Sequence, residues 1–147
     1  MTLDPKLTDT HILALTLYGE CQFPTKHDKD RPSLDVMLAL GCLIRNQVRA
    51  GESYAAICGL CSCWSASRPK VQAKVLEMRE ALLAGPVTDP LYTEAAWVAI
   101  GIVNGYCRDL IKGATKAHAV GDERPAWAQK RIPTLTFARH SFYAETA

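Results

Sequence analysis

Four segments with helical spacing, each ending at a glycine, constrain this chain more than any other feature of its sequence. The glycines are Gly19, Gly51, Gly85 and Gly105. Glycine commonly ends a helix because it adopts the left-handed conformation at no steric cost. Pro69 and Pro90 stand at the starts of the third and fourth segments, where a helix tolerates proline. The pattern predicts helices over residues 8–19, 33–51, 69–85 and 90–105, the first capped by Thr8 or Asp9.

The second and fourth segments are too apolar for helices with a single buried stripe. Leu38, Leu40, Leu43 and Ile44 are typical of the second, and Val98, Ile100, Ile102 and Val103 of the fourth. We therefore expect the second helix to be central and the fourth to be largely buried. Between the second and third segments, Ser53 is a candidate cap for a brief turn to Ile57, and residues 58–68 are expected to form an ordered loop.

The residue pattern changes from helical to extended after Tyr106. Two extended segments, 114–120 and 134–143, flank a stretch that contains Pro125 and Trp127, which predicts a small antiparallel pair. Period-two alternation in the last segment places His140 and Phe142 on one face and Ser141 and Tyr143 on the other. The fold class is therefore α+β, mainly α, with a small antiparallel β element near the carboxyl end. No internal repeat is present, so residues 1–147 are expected to form a single domain.

Composition excludes several classes of function. A chain of 147 residues buries roughly 68–70% of its unfolded surface, so its core needs neither metal nor disulfide. The net charge of +2 has no block of like charge, which disfavours nucleic-acid partners. The longest apolar runs, 36–44 and 95–103, fall short of the roughly 20 residues that span a membrane. Residues 24–32 are expected to form an exposed loop. We expect the protein to be a monomer. We also expect it to be synthesised in the cytoplasm, because the amino terminus lacks a secretory pattern.

Glu20 is the carboxylate best placed for chemistry. It follows Leu17-Tyr18-Gly19 at the carboxyl end of the first predicted helix. The negative end of the helix dipole and partial desolvation both penalise an ionised carboxylate, and a general acid working near neutral pH needs this effect. The alternative is a solvated glutamate at a helix end.

The carboxyl-terminal segment gathers aromatic and polar residues in a composition typical of sugar-binding clefts. These residues are Thr115, His118, Trp127, His140, Phe142 and Tyr143. Flat aromatic faces stack on the apolar face of a sugar, while short polar groups bind its hydroxyls. Taken singly, each of these residues is as well explained as part of the core or as a satisfied polar group.

A series of motifs resembles the SleB-type cell-wall hydrolases, which include spore-cortex lytic transglycosylases and phage lytic proteins. In chain order the motifs are Leu17-Tyr18-Gly19-Glu20, Ile44-Arg45-Asn46-Gln47-Val48, Ile57-Cys58-Gly59, Trp64-Ser65, Gly113-Ala114-Thr115, Pro125-Ala126-Trp127-Ala128 and His140-Ser141-Phe142-Tyr143. Departures from the family pattern are Cys21-Gln22-Phe23 after the glutamate, Lys116-Ala117 before His118, and Arg139 before His140. The resemblance spans nearly the whole chain.

The resemblance implies a lysozyme-related fold and cleavage of the β-1,4 bond between N-acetylmuramic acid and N-acetylglucosamine in peptidoglycan. Glu20 would be the catalytic acid, without cofactor or metal, and the protein would reach the wall after release during lysis or from a virion. The substrate-binding set implied by the motifs is Tyr18, Asn46, Trp64, Thr115, His118, Trp127, His140 and Tyr143.

We further expect Phe142 to pack in the core, Tyr143 to face the glycan beside Glu20, and His140 to bridge the sheet and the helical body.

Three alternatives remain open at this point. The same fold can hold glycan without cleaving it. Cys58, Cys61 and Cys63, completed by Cys107, Cys42 or Cys21, are candidate ligands of a structural zinc ion in an interaction module. Finally, Cys21 with His118 or His140 has the residue types of a thiol nucleophile and its base.

Overall fold

The computed structural model describes residues 7–22, 33–120, 124–137 and 140–144. The loop predicted over 24–32, together with Phe23 and Arg139, lies outside these ranges. The helices are α1 (Asp9–Glu20), α2 (Ser33–Arg49), α3 (Tyr54–Gly59), α4 (Pro69–Ala84) and α5 (Pro90–Val103). The strands are β1 (Lys116–Ala119), β2 (Leu135–Phe137) and β3 (His140–Tyr143). The predicted α+β class, mainly α, is confirmed. No helix in the described ranges is both long and apolar enough to cross a membrane.

Local signals set the helix starts as predicted. The Thr8 hydroxyl accepts a hydrogen bond from the backbone N–H of His11 at 3.3 Å. Ser53 accepts from the N–H of Ala56 at 3.1 Å, and the Asp89 carboxylate accepts from the N–H of Tyr92 at 3.0 Å. These caps satisfy backbone donors that have no partner within the helix. Around the predicted loop, α3 continues to Gly59 and a short 3-10 turn forms over Ser62–Trp64.

The central helix is α1, and the prediction that α2 takes this place is wrong. Every residue from Ile12 to Gly19 is buried, because α2, α3, α4 and α5 all pack around α1. The expectation that α5 is largely buried is confirmed, although Trp97 is 72% exposed and Ile100 is 41% exposed. The density of apolar residues alone does not identify the central helix, because the burial of a helix depends on which neighbours pack against its faces.

The last predicted extended segment, 134–143, is two strands rather than one. β3 lies at the centre of a three-stranded antiparallel sheet in the order β1-β3-β2. Phe137 pairs with His140, so only Ala138 and Arg139 separate the strands. The sequence between the two strands carries no Asn-Gly or similar pair, which is the usual local signal that one extended segment divides into two paired strands.

The sheet has an inner and an outer face. The inner face is formed by Ala117, Leu135, Phe137, His140 and Phe142, as the pairing register requires. Phe142 is fully buried in the main hydrophobic core, which confirms its prediction. Lys116, His118, Thr136, Ser141 and Tyr143 share the outer face. The predicted alternation of faces along β3 is therefore confirmed.

Candidate active site

A groove of about 300 Å³ begins at the carboxyl end of α1, and Glu20 lines it. Glu20 is the last residue of α1 rather than the first residue beyond it, and Cys21 is the C-cap. The groove wall is mostly apolar and consists of Leu17, Leu40, Leu43, Ile44, Ile57, Leu60 and Cys61, with Gln47 and Ser62 as polar members. A carboxylate therefore stands among apolar surfaces in an open groove.

Three donors hold the Glu20 carboxylate, whose side chain is 21% exposed. Its Oε1 accepts hydrogen bonds from the backbone N–H of Cys63 at 3.1 Å and from Ser62 Oγ at 3.4 Å. Arg68 Nη1 lies 3.6 Å from Oε2 and donates to Ser62 Oγ at 2.8 Å. Each of these contacts stabilises the ionised carboxylate. The negative end of the helix dipole acts in the opposite direction and destabilises it. Ser62 and Arg68 are not predictable as partners of Glu20 from the sequence, because no local pattern connects residues so far from position 20.

Gly19 brings the 3-10 turn close enough to hold Glu20. A Cβ atom at position 19 would lie 2.5 Å from Val75 Cγ2 and 2.7 Å from Cys63 Cβ. Both distances are shorter than real carbon contacts, so only glycine allows α4 and the turn to pack against α1 here. The glycine of the Tyr-Gly-Glu motif thus has a packing role next to the carboxylate.

We predict that Gly19→Ala destabilises the protein by about 1–3 kcal/mol, as overpacking of a core does. It should also displace the Cys63 N–H from Glu20. Gly101→Ala is the matched control, because a Cβ there would meet only Cys107 atoms at an ordinary 3.8 Å. Urea denaturation of both variants measures the difference. Equal stability of the two would contradict the packing argument.

Gln47 joins the Glu20 groove to a second groove at the start of β1. Its side chain lines both grooves, and its Nε2 donates to the carbonyl oxygen of Thr115 at 2.7 Å. Thr115, one of the predicted substrate-binding residues, lines the second groove. Gln47 is therefore a site residue, although only its neighbour Asn46 was predicted to be one.

Asn46 does not line either groove, so its prediction as a ligand contact needs correction. Its side chain is buried, and its Nδ2 donates to the carbonyl oxygen of Ala114 at 2.9 Å and to Asp109 Oδ2 at 3.3 Å. Asn46 thus ties α2 to the loop before β1. Adjacent helical residues point about 100° apart, which separates its role from that of Gln47.

Tyr18 and Trp64 also belong to the core packing rather than to a groove. Tyr18 is 5% exposed and packs edge-on against Tyr92 of α5, with ring centroids 5.9 Å apart. Burial raises the pKa of the Tyr18 hydroxyl. Trp64 is half-buried, and its indole N–H donates to the Thr16 hydroxyl at 3.0 Å. Both side chains brace the helices around the Glu20 groove.

Three of the predicted residues assemble on the outer face of the sheet. Trp127 packs edge-on against Tyr143 and His118, with ring centroids 5.2 Å and 5.9 Å away. Lys116 Nζ lies 5.5 Å from the centre of the indole ring. Trp127 remains 37% exposed, so this aromatic platform of His118, Trp127 and Tyr143 offers an indole surface to solvent.

Tyr143 itself does not face solvent, and the expectation that it faces the glycan is wrong. It is 1% exposed, and its hydroxyl forms a hydrogen bond with His118 Nε2 at 2.8 Å. Arg124 Nη2 donates to the same hydroxyl at 3.0 Å, and the Arg131 guanidinium stacks 5.2 Å from the ring centre. Both faces of β3 are covered, which period-two alternation does not predict. His140 lies on the inner face beside Phe142, at 6.1 Å between ring centres, and lines neither of the two grooves.

Of the cysteines near Glu20, Cys58 and Cys63 are buried thiols, whereas Cys61 is half-buried. Burial raises the pKa of Cys58 to about 11 and that of Cys61 to about 12, and it raises the pKa of Cys63 further. The Cys63 thiol points to the carbonyl oxygen of Thr16 at 3.7 Å. Within the ranges described, no group of three or more His, Cys, Asp or Glu side chains is arranged to hold a metal ion. The zinc-stabilised module therefore gains no support from this geometry.

We predict that Cys58 makes the protein less stable in alkali. Its pKa is about 11 in the folded protein and 9.0 ordinarily, so above pH 9 the unfolded chain releases a proton that the folded protein retains. The free energy of unfolding then falls by up to about 1.4 kcal/mol per pH unit until pH 11. Denaturation at pH 8 and pH 10.5 should show a smaller loss for Cys58→Ala than for the wild type. Equal losses would contradict this assignment.

No family model, curated protein or solved structure matches this chain. The similarity to SleB-type hydrolases therefore rests on the motifs themselves. The groove geometry around Glu20 is independent of that similarity.

Proposed function

We propose that this protein cleaves the glycan strands of peptidoglycan as a lytic transglycosylase, with Glu20 as its single catalytic carboxyl group. The observation that carries the proposal is the setting of this carboxylate. It lines an apolar groove, is one-fifth exposed, and is held in one orientation by the Cys63 N–H, Ser62 and Arg68. A positioned acid or base in an open cleft is what glycosidic cleavage requires.

The chemistry uses Glu20 twice. In its protonated form it donates a proton to the glycosidic oxygen while the bond from that oxygen to the anomeric carbon breaks. The 6-hydroxyl oxygen of the muramic acid then bonds to the anomeric carbon, and its proton passes to the Glu20 carboxylate. The product is a 1,6-anhydro sugar and the acid is restored. Ser62 and Arg68 position the carboxylate and stabilise it between the two steps.

This scheme needs only one carboxylate, whereas most glycosidases use two. The described residues that line the groove include no second acidic side chain near Glu20. The solvent-exposed indole of Trp127 lies beside β1, which begins directly after Thr115. It provides a stacking surface for a sugar farther along the glycan chain. The proposed substrate is thus an extended glycan polymer rather than a single sugar.

The decisive experiment is mass spectrometry of the fragments released from purified sacculi by the protein. Muropeptides that end in a 1,6-anhydro sugar support the proposal, while reducing ends indicate hydrolysis instead of transglycosylation. If the protein binds sacculi and releases no fragments, the alternative of a non-catalytic glycan-binding module replaces it.

A further inference from the structure

The second groove has a different character from the groove at Glu20. Its volume is about 540 Å³, and it shares Gln47 and Ile57 with the first groove, so the two grooves adjoin at these residues. The remaining lining residues are Ala50, Glu52, Lys112, Gly113, Thr115 and Ala144. A group attached to a sugar in the first groove is therefore able to extend into the second.

Two opposite charges line this groove without neutralising each other. Lys112 and Glu52 are both exposed, and neither has an ion-pair partner within 4.0 Å in the described part of the chain. The hydroxyl oxygen of Thr115 is buried there and has no hydrogen-bond partner among the described residues. The groove thus has one cationic group and one anionic group available to a ligand, and its lining includes Thr115, whose hydroxyl is unsatisfied.

Lys112 is held in place by the loop before β1. Its φ of 53° is the only positive value at a non-glycine residue in the described ranges, and Gly113 follows with φ 76°. Asp109 fixes this conformation, because its carboxylate accepts hydrogen bonds from the N–H of Ile111 at 2.9 Å and from that of Gly113 at 2.7 Å. Lysine is disfavoured in the left-handed region, where glycine or asparagine fits better. The backbone conformation of this loop therefore does not explain why residue 112 is a lysine.

We propose that the second groove binds the stem peptide of the strand that is cleaved at Glu20. A stem peptide is attached to the muramic acid and carries free carboxylates and, at a diamino residue, a free amine. Lys112 would bind a carboxylate and Glu52 the amine, which matches the two unpaired charges. This inference rests on the proposed function for the identity of the ligand, while the pairing of charges is a property of the groove alone.

Binding of a free stem peptide tests the groove directly. The probe is a synthetic tetrapeptide with two free carboxylates and one free side-chain amine, titrated into the full chain and followed by calorimetry. We expect Lys112→Asn and Glu52→Gln each to weaken binding by about fivefold to tenfold, and Lys112→Arg to retain it. Asparagine tolerates the left-handed conformation, so Lys112→Asn should melt no lower than the wild type. Unchanged affinity in both charge-removing variants, or no binding by the wild type, overturns the proposal.

Cleavage assays separate this inference from the proposed function. Glycan strands with and without stem peptides are compared as substrates. If the inference holds, Lys112→Asn lowers the rate ratio of peptide-bearing to peptide-free strands by about fivefold. An unchanged ratio contradicts the stem-peptide assignment even when cleavage is efficient. Binding of the tetrapeptide through Lys112 and Glu52, combined with no cleavage of either strand, would retain the groove and remove the proposed reaction.

Discussion

Glu20→Gln is expected to reduce fragment release from sacculi by about a hundredfold or more, since a positioned general acid contributes 10²–10⁴-fold. Glutamine has the shape of glutamate, and its side-chain oxygen still accepts the hydrogen bond from the Cys63 N–H. It has no carboxyl proton to donate to the glycosidic oxygen and no carboxylate to accept one. The measurement is the initial rate of soluble muropeptide release, together with the melting temperature.

The control for this variant is Glu77→Gln, which removes an exposed carboxylate from α4, away from both grooves. Its release rate should equal that of the wild type. Activity of Glu20→Gln close to the wild-type value would refute the role of Glu20. A large fall in its melting temperature would instead show that the carboxylate mainly stabilises the turn over Ser62–Trp64.

Phe142→Ala is expected to lower the free energy of unfolding by about 3–5 kcal/mol, the usual range for truncation of a large buried aromatic side chain. Phe142 is fully buried on the central strand and joins the sheet to the helical core. Removing its ring leaves a cavity between the two layers. Urea denaturation followed by far-UV circular dichroism measures the change.

Thr136→Ala is the matched control, because Thr136 is exposed on β2 and lies on the outer face. Its expected effect is about 1 kcal/mol, because the change removes one hydrogen bond of 3.4 Å to the Ser141 hydroxyl. Tyr143→Ala should also destabilise the protein, since the ring is covered by Trp127 and Arg131. If Phe142→Ala costs no more than Thr136→Ala, the sheet does not dock on the helices through this residue.

The helices were largely predictable from the sequence, and so was the face that each side chain of β3 occupies. Thr8, Ser53, Asp89 and Pro69 act within a few residues of themselves, so their effect is visible in the local pattern. The alternation along β3 follows from strand geometry in the same way. Glu20 was also identified locally, by its place after Tyr18 and Gly19.

Only the tertiary structure decided what surrounds these elements. Ser62 and Arg68 reach Glu20 from more than forty residues away, and Gln47 meets Thr115 at a separation of 68 residues. Periodicity assigns a side chain to a face but does not say what packs on that face. It therefore predicts that Tyr143 faces the glycan beside Glu20, whereas Trp127 packs against its ring. The sequence alone thus determined the four long helices and the faces of β3, since caps and alternation act over short distances. The partners of the Glu20 carboxylate depend on the packing of α1 against α4 and the 3-10 turn, which no local signal specifies.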